Sequence, residues 1–297
     1  MCQNETWIDN FPVSASNCVF ATKPPASFTG QAWLATVSNL MKILLTNDDG
    51  IHAPGIRALY QALAKDAEVF MIAPERPRSA AGHAITLHKP LRITETEVAG
   101  GIRGYACSGT PSDCVTLGLD AVMNGDCDLV ISGINAGANL GWDLTYSGTV
   151  AAAIEGAILG MPSIAISVTL EGGAETFDFG PAARFGAVLA HQLVQSPLPI
   201  HTLLNVNVPA VAGHELSGVE VTHQGRREYV DRIEKRDDPT GKPYYWLGGS
   251  LREDEPDPGS DVHAVLASRI SVTPVHLDMT AYRLLEQVSS WELELPN

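Results

Sequence analysis

Five nearly continuous apolar runs, at residues 42–46, 68–73, 128–132, 163–168 and 203–208, alternate with helical stretches near 54–65, 111–124, 148–160 and 178–195. This alternation constrains the fold more than any other feature of the chain. A strand that is apolar at nearly every position has no face to offer water, so both of its faces must be covered, and the intervening helices supply the cover. The predicted fold class is α/β, with a mainly parallel sheet and helices on both faces. At 297 residues with 45% hydrophobic content, the chain can bury a full core and hold one large domain or one domain with an appendage.

Residues 87–106 interrupt the alternation and predict a small β excursion. After Pro209 the character changes again. Arg226-Arg227-Glu228, Asp231, Arg232 and the charged run over 234–238 lead to Tyr244-Tyr245-Trp246, which predicts a protruding β-hairpin arm. A two-stranded arm is only marginally stable alone, so its aromatics point to subunit packing. Residues 269–274 predict one more strand and 278–291 a closing helix. The expected organisation is an N-terminal extension over 1–40, an α/β core over 41–210, and a C-terminal part over 211–297 that serves oligomerisation. The extension has few charges and no sustained period, and lacks the basic start and apolar core of a signal peptide, so it is expected to be poorly ordered.

Composition excludes several classes of function. A formal net charge of −15 argues against a nucleic-acid duplex as partner, because phosphate backbones are held by clustered Lys and Arg. No apolar run approaches the roughly 20 residues needed to span a bilayer. Five cysteines without CxxC spacing fit reduced thiols and a cytoplasmic location better than a disulfide framework or a zinc site.

Three polar clusters each follow an apolar strand, and loops after parallel strands meet at one sheet edge, where ligands bind. The first is Asn47-Asp48-Asp49-Gly50. Adjacent carboxylates repel and cost desolvation, so a dry pair needs a cation or a shared proton to offset the repulsion, whereas a solvated Asp-Asp-Gly turn needs neither. The second, Ala73-Pro74-Glu75-Arg76-Pro77-Arg78-Ser79, continues to His83. Ser79 offers a hydroxyl near the acidic pair, Arg76 and Arg78 could neutralise an anion, and His83 is read as packing only. The third is the strongest. Ser132-Gly133-Ile134-Asn135-Ala136-Gly137-Ala138-Asn139 follows a buried strand, and Tyr146-Ser147-Gly148-Thr149 opens a helix. Ser147, Gly148 and Thr149 would present donors at a helix N-terminus, as in a phosphate cradle. Asn135 offers an amide oxygen to a metal and Asn139 an amide donor to a phosphoryl oxygen. Thr110-Pro111-Ser112-Asp113 reads as a helix start that needs no chemistry to explain it.

Together these segments resemble the survival-protein-E (SurE) family of metal-dependent nucleotidases. The resemblance rests on Thr46-Asn47-Asp48-Asp49-Gly50-Ile51, Ala73-Pro74-Glu75-Arg76 with Arg78-Ser79, Gly109-Thr110-Pro111-Ser112-Asp113-Cys114-Val115, the Ser132–Asn139 segment and Tyr146-Ser147-Gly148-Thr149-Val150. It implies a Rossmann-like core, a homodimer or homotetramer assembled through the C-terminal arm, and hydrolysis of nucleoside 5′- and 3′-monophosphates, with short polyphosphate as a further substrate. It also implies one divalent metal ion, Mg²⁺ or Mn²⁺, held by Asp48, Asp49, Ser79 and Asn135, with Asn139, Ser147, Gly148 and Thr149 around the phosphate.

The expected mechanism is direct hydrolysis without a covalent phosphoenzyme. Asp48 and Asp49 are the candidate catalytic residues, and spacing does not separate metal ligand from base. The alternative is a non-catalytic nucleotide- or phosphate-sensing module. A signalling receiver would need an acceptor Asp where the strand over 128–132 ends in Ser132-Gly133, and a haloacid-dehalogenase-type phosphatase would need Asp-x-Asp.

Overall fold

In the computed structural model, which describes residues 40–169, 178–230, 233–252, 256–291, 293 and 295, the first apolar run forms β1 (Met41–Thr46). It shows directly why the sheet is covered twice. Ile43 and Leu45 enter one hydrophobic cluster, with Ile56, Leu59 and Ala183, while Leu44 enters a second, with Ile72, Cys114 and Val115. Successive side chains of a strand point to opposite faces, so an apolar run at period one requires a core on each.

The chain continues through α1 (Pro54–Leu63), β2 (Ala67–Pro74), β3 (Ile93–Val98), β4 (Ile102–Cys107), α2 (Pro111–Leu117), β5 (Leu129–Ala136), α3 (Gly148–Ile158), β6 (Ser163–Thr169), α4 (Gly180–Gln195) and β7 (Thr202–Pro209). Beyond Pro209 lie β8 (Val219–Val221), β9 (Tyr229–Val230), β10 (Ile233–Asp237), β11 (Pro243–Leu247), β12 (Ser250–Leu251), α5 (Asp261–Leu266), β13 (Ile270–His276) and α6 (Leu285–Ser289). Among the described residues, nine strands form one sheet in the order β3-β4-β2-β1-β5-β6-β7-β13-β8. Strands from β4 to β7 run parallel, while β3 and β13 are antiparallel to their neighbours β4 and β7. Helices α1 and α4 cover one face, and α2 and α3 cover the other. The expected mainly parallel sheet with helices on both faces is therefore observed.

Strand order reverses at β1. The chain moves outward to β2 and then returns to place β5 on the other side of β1, so the crevice at the carboxyl ends of β1 and β5 is the switch point where open α/β sheets bind ligands. Packing at this point is tight. A Cβ at Gly55 of α1 would lie 2.0 Å from the carbonyl oxygen of Ile134, the residue before Asn135. Gly55→Ala is expected to destabilise the fold by about 3 kcal/mol, because neither the helix nor a central strand can retreat alone. A denaturant midpoint equal to that of the parent would contradict this reading.

The predicted β excursion is the antiparallel β3–β4 hairpin, and β4 also pairs in parallel with β2, so the excursion is part of the main sheet. The sheet likewise continues past Pro209 through β13 and β8. The predicted arm appears as the β10–β11 hairpin, exposed along its length, with β9 and β12 pairing at its root. Its turn is organised by Asp238, whose Oδ1 accepts from the backbone N–H groups of Thr240 and Lys242. The closing helix expected over 278–291 is reduced to a 3-10 turn at Tyr282–Leu284 and the five-residue α6. Asp278 accounts for the late start: its carboxylate accepts from Thr280 N–H and from the Tyr282 hydroxyl, a local arrangement that competes with helical bonding. The N-terminal extension with Cys2 and Cys18, and also Asp231 and Arg232, lie outside the described residues. The described cysteines, Cys107, Cys114 and Cys127, are free thiols.

Candidate functional site

The turn after β1 is fixed by its own side chains. Asn47 is fully buried, its amide nitrogen donates to Gly50 O and its amide oxygen accepts from Gly50 N–H, both at 3.1 Å. Gly50 has φ +96°, a conformation that disfavours a side chain. This turn presents Asp48 and Asp49 at the switch point. Asp48 is 4% exposed, and its Oδ1 accepts from the Thr149 hydroxyl at 2.5 Å and its carboxylate from the Thr149 backbone. Burial pushes the Asp48 carboxyl up to about 6, the Thr149 bond opposes this, and the neighbouring Asp49 charge adds to it. Asp49 is also raised by burial, against a hydrogen bond from Ala136 N–H to its Oδ2 at 3.2 Å.

The other two clusters close on this pair. Arg78 N–H donates to Asp48 O at 2.8 Å, which ties the loop that carries the exposed Ser79 to the acidic turn. Gly82 N–H then donates to Tyr146 O, tying the loop after β2 to the entrance of α3. Pairing of β5 with β6 shifts register between Ser132 and Asn135, an irregularity that re-aims the strand's tip beside Asp49. Asn135 donates its amide nitrogen to Gly137 O at 2.9 Å, and its amide oxygen accepts from no described residue.

At the start of α3 the contacts are closer than the sequence implied. A Cβ at Gly148 would lie 2.7 Å from Asp48 Cβ and 2.9 Å from Asp48 Oδ2, so only glycine lets the helix end touch the carboxylate. Ser147 is the N-cap, its hydroxyl accepting from Val150 N–H at 3.1 Å. The hydroxyls of Ser147 and Thr149 are thus engaged, and Gly148 N–H has no partner among the described residues. Asn139 is held deeper: its amide nitrogen donates to Ser167 Oγ at 2.7 Å, and its carbonyl oxygen accepts from both Asn205 and Asn207.

The surrounding polar groups make contacts that residue spacing did not report. Asn205 and Asn207 alternate with apolar residues in β7, and two amides inside a buried strand are a legible signal of a polar task. His83 does more than pack. Its Nε2 lies 2.7 Å from Glu155 Oε2 on α3, and Glu155 Oε1 accepts from the Thr116 hydroxyl. Arg76 turns to Glu75, and Arg78 donates to Ser108 O. The Thr110 capping box forms as read, and although burial opposes ionisation, bonds from Thr110 and Thr86 hold the Asp113 carboxyl below its ordinary value.

Among the described residues no three or more His, Cys, Asp or Glu side chains gather around one metal-sized point. The candidate set is instead two carboxylates with an amide and a hydroxyl oxygen, a donor set suited to Mg²⁺ or Mn²⁺ rather than to zinc. Two adjacent carboxylates beside an amide oxygen that accepts from no described residue fit a divalent cation by the chemistry of the donor set.

Residues 43–231 match the family described as Survival protein SurE. The chain is 48% identical over 252 residues to the 5′-nucleotidase SurE of Moorella thermoacetica, covering 84% of this chain and 96% of that protein. It is 49% identical over 253 residues to the 5′-nucleotidase SurE of Geobacter sulfurreducens, covering 85% and 94%. The crystal structure of a SurE protein from Aquifex aeolicus superposes with a TM-score of 0.74 at 41% identity, covering 84% of this chain and 98% of that one.

Proposed function

The chain belongs to the Survival protein SurE family, and on that premise we propose that it is a 5′-nucleotidase, a phosphatase that cleaves nucleoside monophosphates to nucleoside and phosphate. The observation that carries this reading is the contact between the Asp48 carboxylate and the N-terminus of α3. A phosphoryl group placed there would meet an acidic, cation-seeking pair on one side and a helix N-terminus on the other.

Asp48, Asp49, Asn135 and Ser79 would hold one divalent cation, Mg²⁺ or Mn²⁺. When bound, it would supply Lewis-acid stabilisation of phosphoryl charge and a water of lowered pKa. The residues of the chain do the rest. Gly148 N–H offers a donor to a phosphoryl oxygen. Thr149 holds the Asp48 carboxylate in one orientation, and Ala136 N–H does the same for Asp49. Asp48 or Asp49 can also orient the attacking water, so no covalent intermediate on the protein is required. Asn139, Ser147, Gly148 and Thr149 form the phosphate side of the site. The proposal extends to 3′-monophosphates and short polyphosphate, to a cytoplasmic enzyme, and to a homodimer or homotetramer built through the arm. Exposed Tyr245, Trp246 and Leu247 support the last point. No helix among the described residues is long and apolar enough to cross a membrane.

Phosphate release should be measured from a panel of 5′- and 3′-nucleoside monophosphates with Mn²⁺, with Mg²⁺ and with EDTA. Release is expected with either metal, to be lost in EDTA and restored by adding metal back. Saturable nucleotide binding with no release under any metal would favour the sensing module instead.

A further inference from the structure

Between Asn139 and Ser147 the chain makes a 3-10 turn over Gly141–Thr145. Its own hydrogen bonds, such as Asp143 N–H to Leu140 O and Tyr146 N–H to Asp143 O, set its shape but not its place in the molecule. Its place comes from the C-terminal part of the chain. Gly141 N–H donates to Asp261 Oδ2 at 2.8 Å, and Gly141 O accepts from the Gln224 amide at 2.9 Å. Asp261 is 1% exposed, and its other oxygen accepts from Gly225 N–H. Backbone of residues 225–227 packs against the turn so closely that a Cβ at Gly141 would lie 3.1 Å from Arg227 N. The outer corner of the turn is Asp143, whose Oδ2 accepts from the Tyr229 hydroxyl at 2.6 Å and lies 3.1 Å from Arg227 Nη1.

We propose that Arg227 and Tyr229 are positioning residues for the phosphate side of the site: by clamping Asp143 they hold the turn that delivers Ser147 and Gly148 to Asp48. The proposal rests on the nucleotidase reading above and adds to it a part of the machinery that lies outside the α/β core. The Arg227 and Asp143 side chains are 10% and 20% exposed, so the pair is shielded from the screening that makes surface ion pairs weak. A hydrogen bond and an ion pair on the same carboxylate oxygen tie this corner of the turn to two residues of the C-terminal part. Thr149 lies one residue past Gly148 and stays bonded to Asp48, so loss of the clamp should displace the turn and the donors at Ser147 and Gly148 while the Thr149–Asp48 bond keeps that cation ligand in place.

The test is steady-state kinetics on a 5′-nucleoside monophosphate with Mn²⁺, comparing the parent with Arg227→Ala, Arg227→Lys, Tyr229→Phe, Asp143→Asn and the Arg227→Ala/Asp143→Asn double variant. Arg227→Ala is expected to raise KM roughly tenfold to a hundredfold, the scale of a small misplacement of binding groups. The change in kcat should stay within about threefold, the Mn²⁺ concentration for half-activation should not move, and Arg227→Lys should recover part of the loss. The double variant should be no worse than the poorer single one, because each breaks the same contact. Hydrogen exchange gives an independent reading: amides of residues 140–146 should lose protection in Arg227→Ala while those of β1 and β6 keep it. Unchanged KM in folded variants overturns the clamp and leaves the nucleotidase reading standing. So does a parallel rise of KM and Mn²⁺ requirement, which would mean general loosening. A parent that releases no phosphate overturns both.

Discussion

Asp48→Asn is expected to lower phosphate release by about 10³-fold or more, the scale for losing a positioned acid–base or ligand group, while making the metal-free protein more stable at neutral pH. The two effects have one cause. The Asp48 carboxyl is buried against its neighbour Asp49, and its pKa is raised from 3.8 to about 6 in the folded chain. Between those values the folded state holds a proton that the unfolded state has lost. Stability therefore falls as pH rises through that window, and the penalty is complete above it. The shift corresponds to about 3 kcal/mol. Asparagine is neutral and keeps an oxygen for the Thr149 hydroxyl, so it removes the penalty without breaking that bond. Thermal melts in EDTA should show Asp48→Asn melting above the parent at pH 7.5 and the two converging near pH 4. Added Mn²⁺ should reverse the order at pH 7.5 by stabilising the parent alone. A variant less stable than the parent in EDTA at pH 7.5 would show that the acidic pair is not strained.

Gly148→Ala should reduce phosphate release about 100-fold, although alanine is the better helix former and would stabilise an isolated α3. The added methyl would stand 2.7 Å from Asp48 Cβ and 2.9 Å from Oδ2. The carboxylate cannot withdraw, because Thr149 holds it at 2.5 Å and Asp48 itself is buried. Either α3 moves off the acidic pair or Asp48 leaves its orientation, at a cost of about 1–3 kcal/mol. Gly248→Ala serves as the control, since nothing lies within 4 Å of its added Cβ. Kinetics at saturating Mn²⁺ alongside melting curves would separate the two variants, and equal activity would show that the contact between α3 and Asp48 has no part in the reaction.

The identities of the acidic pair and the helix start were legible because each depends on neighbours within a few residues. A strand end, a tight turn and an N-cap are local events, and Asp-Asp-Gly and Ser-Gly-Thr carry their own stereochemistry. What those groups do to one another was not. Thr149 reads as a phosphate donor, yet its hydroxyl is engaged by a carboxylate 101 residues earlier. Asn139 reads in the same way, but is anchored to Ser167 and to two asparagines of β7. Residues beyond Pro209 read as an appendage for assembly, since no local pattern reports that Asp261 reaches Gly141, and the closing helix reads as longer than it is because apolar spacing does not register the local turn that Asp278 makes with Thr280 and Tyr282.

The sequence by itself determined the α/β class, the double cover of the sheet and the three polar strand ends, because hydrophobic periodicity and turn chemistry act over one or two turns of chain. Only the tertiary structure decided that β1 and β5 lie side by side at the switch point, that Gly148 must be bare to let α3 touch Asp48, and that Asp143 meets Arg227 and Tyr229. These contacts join residues far apart in the chain, and their distances are set by sheet register and by how closely buried backbones approach.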